Sequence, residues 1–355
     1  MITIKDVARA AGVSVATVSR VHNGSDLVKE TTRRRVDEVA RRLGYSPHGA
    51  ARSLITSRTS TLGVLLPDIY GEFFSEVIRG IDQTAHRHGY HLLVSSSHDD
   101  RSAVETALRS MWGRVDGLIV LWPDLDETAV PNLPAGFPLV LLSAPIGPNG
   151  FDVITVANFE GAYAMVCHLL SLGHRRIAII KGIEGNADAA ERLRGYRGAL
   201  ASAGLGSSAI EVAGEFNESS GFRAANVLLA REVRPSAIFA ANDAMAIGAL
   251  SALREAGLRV PEDVALAGFD DIPMARYLDP ALSSVHVDIS ALGERAALRL
   301  LAAVRDKDKH EHRAETLPTT LVLRRSCGAA APSSLPTAQG AGPATITISP
   351  LMRRI

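Results

Sequence analysis

The sequence predicts two fold classes in one chain: an all-helical head over residues 1–46, and an α/β body of two parallel-sheet lobes from residue 61 onward. Three observations carry that reading. Apolar residues in the head recur at helical spacing around a tight turn containing Gly12. From Thr61 the pattern changes to short, wholly apolar runs that alternate with amphipathic stretches, and the series occurs twice. Charge divides at the same place. Residues 1–60 hold eleven Lys and Arg against five Asp and Glu, whereas the whole 355-residue chain is neutral, so a basic head sits on an acidic body.

In the head, Ile4, Val7, Ala8 and Ala11 share one helical face, and Thr3 with Asp6 has the spacing of a capping box. Gly12 ends that helix, Val13 supplies an apolar plug, and Ser14 caps a second helix whose Val18 and Val21 face back toward the first. Two short helices joined by a Gly-containing turn have the helix-turn-helix layout. The outer face of the second helix then carries Val15, Ala16, Ser19 and Arg20. Small apolar groups suit a thymine methyl, Arg suits guanine O6 and N7, and hydroxyls suit phosphate oxygens. Any short amphipathic helix pair shares the spacing; the surface composition and the local charge favour DNA.

A third helix is expected from Thr31 to Gly44, with Val36, Val39, Ala40 and Leu43 as its buried stripe and its arginines divided between solvent and phosphate. Pro47 breaks it, His48 to Ile55 can form a brief helix containing Leu54, and residues 56–61 are a polar linker. The apolar runs of the body are 62–66, 91–94, 117–121 and 139–142, then 153–156, 177–180, 237–240 and 264–269. In open α/β sheets ligands bind beyond the carboxyl ends of the strands, here between the lobes. Strand ends place Asp68, Trp122, Asn242-Asp243 and Asp270 there. A sugar needs bidentate polar groups for its hydroxyls and an aromatic plate for its C–H face. Asp68, Arg192, Asn242 and Asp270 offer the former, and Phe73, Trp122 and Phe216 the latter. Carboxylates and amides at strand ends also serve as helix caps, and Asn242-Asp243 is expected to do so in part. Of the adjacent Phe73 and Phe74, one is expected in the cleft and the other in the core.

The blocks Ile4-Lys5-Asp6-Val7-Ala8, Ala11-Gly12-Val13-Ser14-Val15-Ala16-Thr17-Val18-Ser19-Arg20-Val21, Gly44-Tyr45-Ser46-Pro47 and Ala50-Ala51-Arg52-Ser53-Leu54 strongly resemble the lactose/galactose repressor family, and the likeness continues to about Cys327. The resemblance implies a dimeric transcriptional regulator of double-stranded DNA whose paired recognition helices read a pseudo-palindrome. By position Val15, Ala16 and Arg20 match the family's base-reading residues, Ala51 and Arg52 its minor-groove hinge contacts, and Leu54 the apolar wedge that unstacks a central step. Ser14, Thr17, Ser19, Asn23 and Thr32 join them as candidate DNA contacts. The Val15-Ala16 pair resembles galactose-repressor-like members and implies a central CG step. The body is then periplasmic-binding-protein-like. Arg192, Phe216 and Asp270 match the family's effector contacts, and Asn186 and Asp188 match further ones. Implied boundaries are 1–46 for the head, 47–60 for the hinge helix and linker, and 61–328 for the body. Within the body, the first lobe takes 61–157 plus 288–317 and the second 158–287 plus 318–328.

Five positions depart from the pattern. His22 and His48-Gly49 replace an aliphatic residue and an Asn-containing hinge start; Gly49 is expected to weaken the hinge helix by about 1 kcal/mol against Ala. Ala157 and Ala144 stand where polar or acidic residues are common, which leaves the effector's identity open. Residues 329–355, rich in Ala, Pro, Ser and Gly, read as a disordered tail. They lack a leucine heptad, so a dimer is expected rather than a tetramer.

Two cysteines, Cys167 and Cys327, fit a reducing cytoplasm, with Cys167 expected in the core. No signal peptide or long apolar span is evident. His86, His88 and His91 have no cysteine or carboxylate companions at ligand spacing and are not read as a metal site. No nucleophile elbow or phosphate-binding Gly loop stands out, so neither catalysis nor a cofactor is expected. The competing classes are a transport receptor, which would have no use for a basic head, and a sugar-processing enzyme, which would need a positioned acid, base or nucleophile.

Overall fold

The computed structural model describes residues 2–22, 27–45, 58–97, 101–121, 136–144, 151–306, 309–328 and 345–347. It divides into a small unit built on residues 1–60 and a large one beginning at Thr61.

The small unit contains α1 (Ile4–Ala11), α2 (Val15–His22) and α3 (Glu30–Leu43). Asp6 starts α1 by accepting from the Thr3 backbone N–H at 3.0 Å and from its hydroxyl at 2.7 Å. Gly12 ends it in the left-handed region (φ 63°), where a side chain would be strained. The Ser14 hydroxyl then accepts the Thr17 N–H at 3.1 Å, so the second helix begins within two residues of the turn. Val7, Ala8, Ala11, Val18, Val21, Val36, Val39 and Ala40 form the core, with Val13 and Leu43 packed against it. His22 lies against Tyr45, ring centroids 5.6 Å apart, which gives the unusual histidine a packing role.

The large unit holds two sheets. In the first, β1 (Thr61–Leu66), β2 (His91–Ser96), β3 (Gly117–Leu121), β4 (Leu139–Leu142) and β5 (Asp152–Val156) are parallel, and β11 (Ala314–Leu317) joins outside β5 in the order β11-β5-β4-β3-β1-β2. In the second, β6 (Ile177–Ile180), β7 (Ile210–Val212), β8 (Ala237–Ala240), β9 (Ala265–Asp270) and β10 (Ser283–His286) are parallel. β12 (Thr320–Val322) and β13 (Thr345–Thr347) add antiparallel strands at one edge. Helices cover the sheets: α4 (Glu72–Arg87), α5 (Arg101–Met111) and α10 (Ile289–Arg305) belong to the first. The second has α6 (Asn158–Ser171), α7 (Ala187–Ser202), α8 (Glu218–Leu229) and α9 (Asp243–Glu255). The chain passes between sheets after β5, after β10 and after β11.

Most of the apolar runs are buried on both faces, as parallel strands between helix layers must be: β3, β4, β6 and β8 are buried throughout, whereas β2, at the sheet edge, is partly exposed. The short strands β7, β10, β11 and β12 were not expected. Ser283 and Ser284 on β10 are fully buried because hydrogen bonds satisfy them: Ser283 Oγ donates to the Arg324 carbonyl at 2.9 Å, and Ser284 Oγ to Asp243 at 2.6 Å. Residues 345–347 pair with β12, so that part of the stretch expected to lack structure is a strand. Cys167, expected in the core, is half-buried on α6, while Cys327 is fully buried. The hinge helix expected from His48 to Ile55 and the remainder of the tail lie outside the described residues. No described helix is long and apolar enough to cross a membrane.

The contact of α4 with α10 depends on two glycines. A Cβ on Gly80 would lie 2.1 Å from the Ser290 carbonyl oxygen, and one on Gly293 would lie 2.2 Å from that of Val77. Both obstacles are backbone, so neither can move without parting the helices. Gly80→Ala should cost about 1–3 kcal/mol by overpacking and lower the melting temperature by several degrees; an unchanged thermal melt would show that the helices have room to spare.

Candidate functional site

In the small unit, Ser14, Val15, Ala16 and Arg20 are exposed, while Thr17, Ser19 and Thr32 are half-buried. Val15 is 41% exposed, so α2 presents an apolar group on its outer face. The Ser14 and Thr17 hydroxyls are 2.9 Å apart and mutually hydrogen-bonded at the helix start, where backbone N–H groups favour an anion. On α3, Arg34 pairs with Glu30 at 3.0 Å, whereas Arg35, Arg41 and Arg42 are exposed. Asn23, Ala51, Arg52 and Leu54 lie outside the described residues.

In the large unit a cavity of about 820 Å³ opens at the carboxyl ends of the strands of both sheets. It is lined by Asp68, Phe73, Asn186, Asp188, Arg192, Phe216, Asn242 and Asp270, eight of the nine residues expected there; Trp122 lies outside the described residues. Phe74 lines it too, which corrects the division of the pair: Phe73 and Phe74 make an edge-to-face contact at 5.6 Å and both present ring surface.

Arg192 is the centre of the polar wall. It is 5% exposed; Nε donates to Asn158 Oδ1 at 2.8 Å and Nη1 to the Ala241 carbonyl at 2.6 Å. Nη2 lies 3.1 Å from Asp270 Oδ1, and the guanidinium sits 3.8 Å above the centroid of Phe269. The alignment toward Asp270 is poor, so Asp270 Oδ1 is charge-paired but has no hydrogen bond. Burial pushes the Asp270 carboxyl up to about 6, with Arg192 pulling the other way and Asp188 adding to the rise. Burial also raises Asp188, against the pull of Arg192, Ser143 and Asn158; Asn158 Nδ2 donates to it at 2.8 Å.

Several expected ligand contacts have structural work as well. Asn186 caps α7 by accepting from Ala189 N–H at 2.9 Å. Asn242 caps α9 through Oδ1 and donates through Nδ2 to the Phe216 carbonyl at 3.0 Å. Asp68 Oδ1 accepts the Tyr70 N–H at 3.1 Å. Asp243 is wholly buried; it accepts from Ser284 and the Ile272 N–H and does not line the cavity.

Sequence reasoning missed the residues that join the two lobes across the cavity. Ser143, after β4, hydrogen-bonds Asp188. Glu72, at the start of α4, accepts the Met274 N–H at 2.9 Å. Ser143, Phe216 and Asp270 all have positive φ (62°, 60° and 103°) without being glycine, and all three line the cavity. Backbone strain of this kind gathers at functional sites, where surrounding contacts hold it in place. No sequence signal marks such residues.

A helix-turn-helix head joined to a two-lobed α/β body with a strand-end cavity has the make-up of a ligand-responsive DNA-binding regulator. Residues 3–48 match the family described as bacterial regulatory proteins, lacI family, and residues 166–327 match the periplasmic binding protein-like domain. The HTH-type transcriptional repressor PurR of Aliivibrio salmonicida is 35% identical over 330 residues, covering 92% of this chain and 99% of that protein. A Lac repressor dimer bound to operator and the anti-inducer ONPF superposes with a TM-score of 0.81 at 30% identity, over 92% of this chain and 99% of that one. The transcriptional regulator CelR in its cellobiose complex gives 0.67 at 30% identity, over 92% and 100%. The chain belongs to the lacI family of bacterial regulatory proteins.

The Asp270 carboxyl gives a pH test. Its value is higher in the folded chain than its ordinary 3.8, so protonation favours the fold, and that advantage is lost as pH rises from 3.8 through about 6. Relative to Asp270→Asn, which cannot titrate, the wild-type chain should lose up to about 3 kcal/mol of stability between about pH 4 and pH 7. Denaturation curves of both proteins at the two pH values check this; a difference independent of pH would rule it out.

Proposed function

We propose that this protein is a repressor that binds a pseudo-palindromic operator, with a central CG step, as a homodimer, and that a sugar bound in the strand-end cavity controls its affinity for that operator. The observation that carries the effector half is the convergence of Arg192, Asp188 and Asp270 on one aromatic-walled cavity. The polar groups of Asp68, Asp188 and Asn242 suit the hydroxyls of a sugar, and the Phe73, Phe74 and Phe216 rings suit the C–H face of a pyranose or furanose. Similarity to a regulator in complex with cellobiose supports the same class of ligand.

The mechanism is a population shift. An effector that prefers one arrangement of the lobes draws the protein toward it, and in a dimer this changes the spacing of the two recognition helices. Asp188 and Met274 on the second lobe, with Ser143 and Glu72 on the first, are contacts that such a motion would make or break.

Selection of bound sequences from a random DNA pool, repeated with a panel of sugars and nucleobases, tests both halves. A palindrome should emerge, and one sugar should change its recovery; a response to nucleobases alone would replace the sugar, and the absence of any preferred sequence would end the operator reading. Arg20→Ala should relax base preference at one position per half-site by about 1–3 kcal/mol, read by competition between operator variants. Arg192→Ala should retain operator affinity and lose the ligand response; a normal response would place the effector elsewhere.

A further inference from the structure

Among the described residues, one group of side chains has the composition and spacing of a metal site, and it lies away from the cavity. Asp152 opens β5 and is fully buried. The segment leading into β11 places His310 and His312 beside it, and one ligand atom from each of the three falls within 4.8 Å of the others. His310 Nε2 is 2.6 Å from Asp152 Oδ2, and His312 Nδ1 is 3.6 Å from the same oxygen. The two imidazoles meet edge to face at 5.0 Å. The other carboxylate oxygen, Oδ1, is held by the Arg313 N–H at 3.1 Å, which fixes the carboxylate's direction.

A hydrogen-bonded cage explains part of this arrangement. It accounts for His310 and for the Arg313 N–H, but not for His312, whose Nδ1 is shut off from solvent, points at the shared oxygen and has no hydrogen-bond partner. A cation at the common focus engages all three ligand atoms at once. We propose that Asp152, His310 and His312 form a binding site for a divalent transition-metal ion of the zinc type. Two imidazoles and one carboxylate suit zinc, and are poor for magnesium, which demands an oxygen octahedron. Ligand atoms at zinc's usual distances stand about 3.4 Å apart around a tetrahedral ion. His312 and Asp152 already have that separation, and the closer His310 must open by less than about 1 Å as its shared proton is replaced.

The position gives the ion a purpose. β11 is the edge strand of the first sheet and pairs with β5 alone. A metal here clips the entry of that edge strand to its neighbour at the amino ends of the strands, whereas the cavity lies at the carboxyl ends. The sequence hid the site because Asp152 and His310 are 158 positions apart.

The test is zinc chloride titrated into the metal-stripped full-length protein, with binding read by calorimetry and stability by thermal melts, and magnesium chloride as control. One zinc per chain is expected, with a melting temperature raised by a few degrees and no response to magnesium. His312→Ala leaves the hydrogen bond between His310 and Asp152 in place, so the protein should fold. It should lose about 10–100-fold in zinc affinity together with the thermal shift. His86→Ala/His88→Ala, at the other histidine-rich segment, should bind as wild type. No zinc binding by folded wild-type protein would leave only a hydrogen-bonded cage and overturn the proposal. Equal binding by His312→Ala, or loss confined to the His86/His88 variant, would overturn it too.

Discussion

The buried guanidinium of Arg192 is the interaction on which the cavity depends. Removing a cation from water costs several kcal/mol, and one neighbouring carboxylate does not return that cost unless the remaining N–H groups are also engaged. Here Asn158 and the Ala241 carbonyl engage them, and the Phe269 ring covers one face of the guanidinium. These partners come from four places: the start of α6 just after the first crossover, the end of β8, the end of β9 and, for the arginine itself, α7. Fixing one side chain therefore fixes how those elements meet. Asp270 completes the set at a left-handed backbone position, which turns its carboxylate toward the cavity rather than along the strand.

Charge pairing and hydrogen bonding separate at this point. Asp270 Oδ1 lies within ion-pair distance of Arg192 without the alignment of a hydrogen bond. A buried carboxylate in that state is raised by desolvation and steadied by the cation, and it retains the capacity to accept a donor. Arg192, by contrast, has protein acceptors for Nε and Nη1, so it acts chiefly as a rigid platform. The cavity thus has a fixed cationic wall beside the carboxylates of Asp188 and Asp270.

The head was legible almost residue by residue because everything that shapes it is local. The Thr3–Asp6 cap, the Gly12 turn, the Ser14 cap and the Val18 and Val21 stripe all act over three or four positions, where sequence spacing and spatial proximity coincide. The strands of the body were legible where burial on two faces demands apolar runs, as at 62–66 and 177–180. They were hidden where hydrogen bonding substitutes for apolarity, as at Ser283 and Ser284. In the cavity, the expected residues were those whose chemistry is conspicuous. Ser143 and Glu72 escaped because their importance comes from what the other lobe brings to them, and Ser143 and Phe216 carry backbone strain that no residue type announces. The pairing of Asp152 with the two histidines is the extreme case, since only strand pairing brings its halves together.

Contacts from opposite lobes also bear on the proposed regulation. Ser143 with Asp188, and Glu72 with the Met274 N–H, are polar groups that prefer either each other or water, and each pair bridges the two sides of the cavity. An effector that merely fills the space adds equally to open and closed arrangements and shifts nothing, however tightly it binds. To move the equilibrium it must touch both lobes at once, replacing or reinforcing these pairs, and a ligand with donors on more than one edge can do so. Asp68, Phe73 and Phe74 on the first lobe face Arg192, Phe216 and Asp270 on the second across one cavity. A ligand that spans the cavity can therefore engage both walls at once, which a small group held on one wall cannot do.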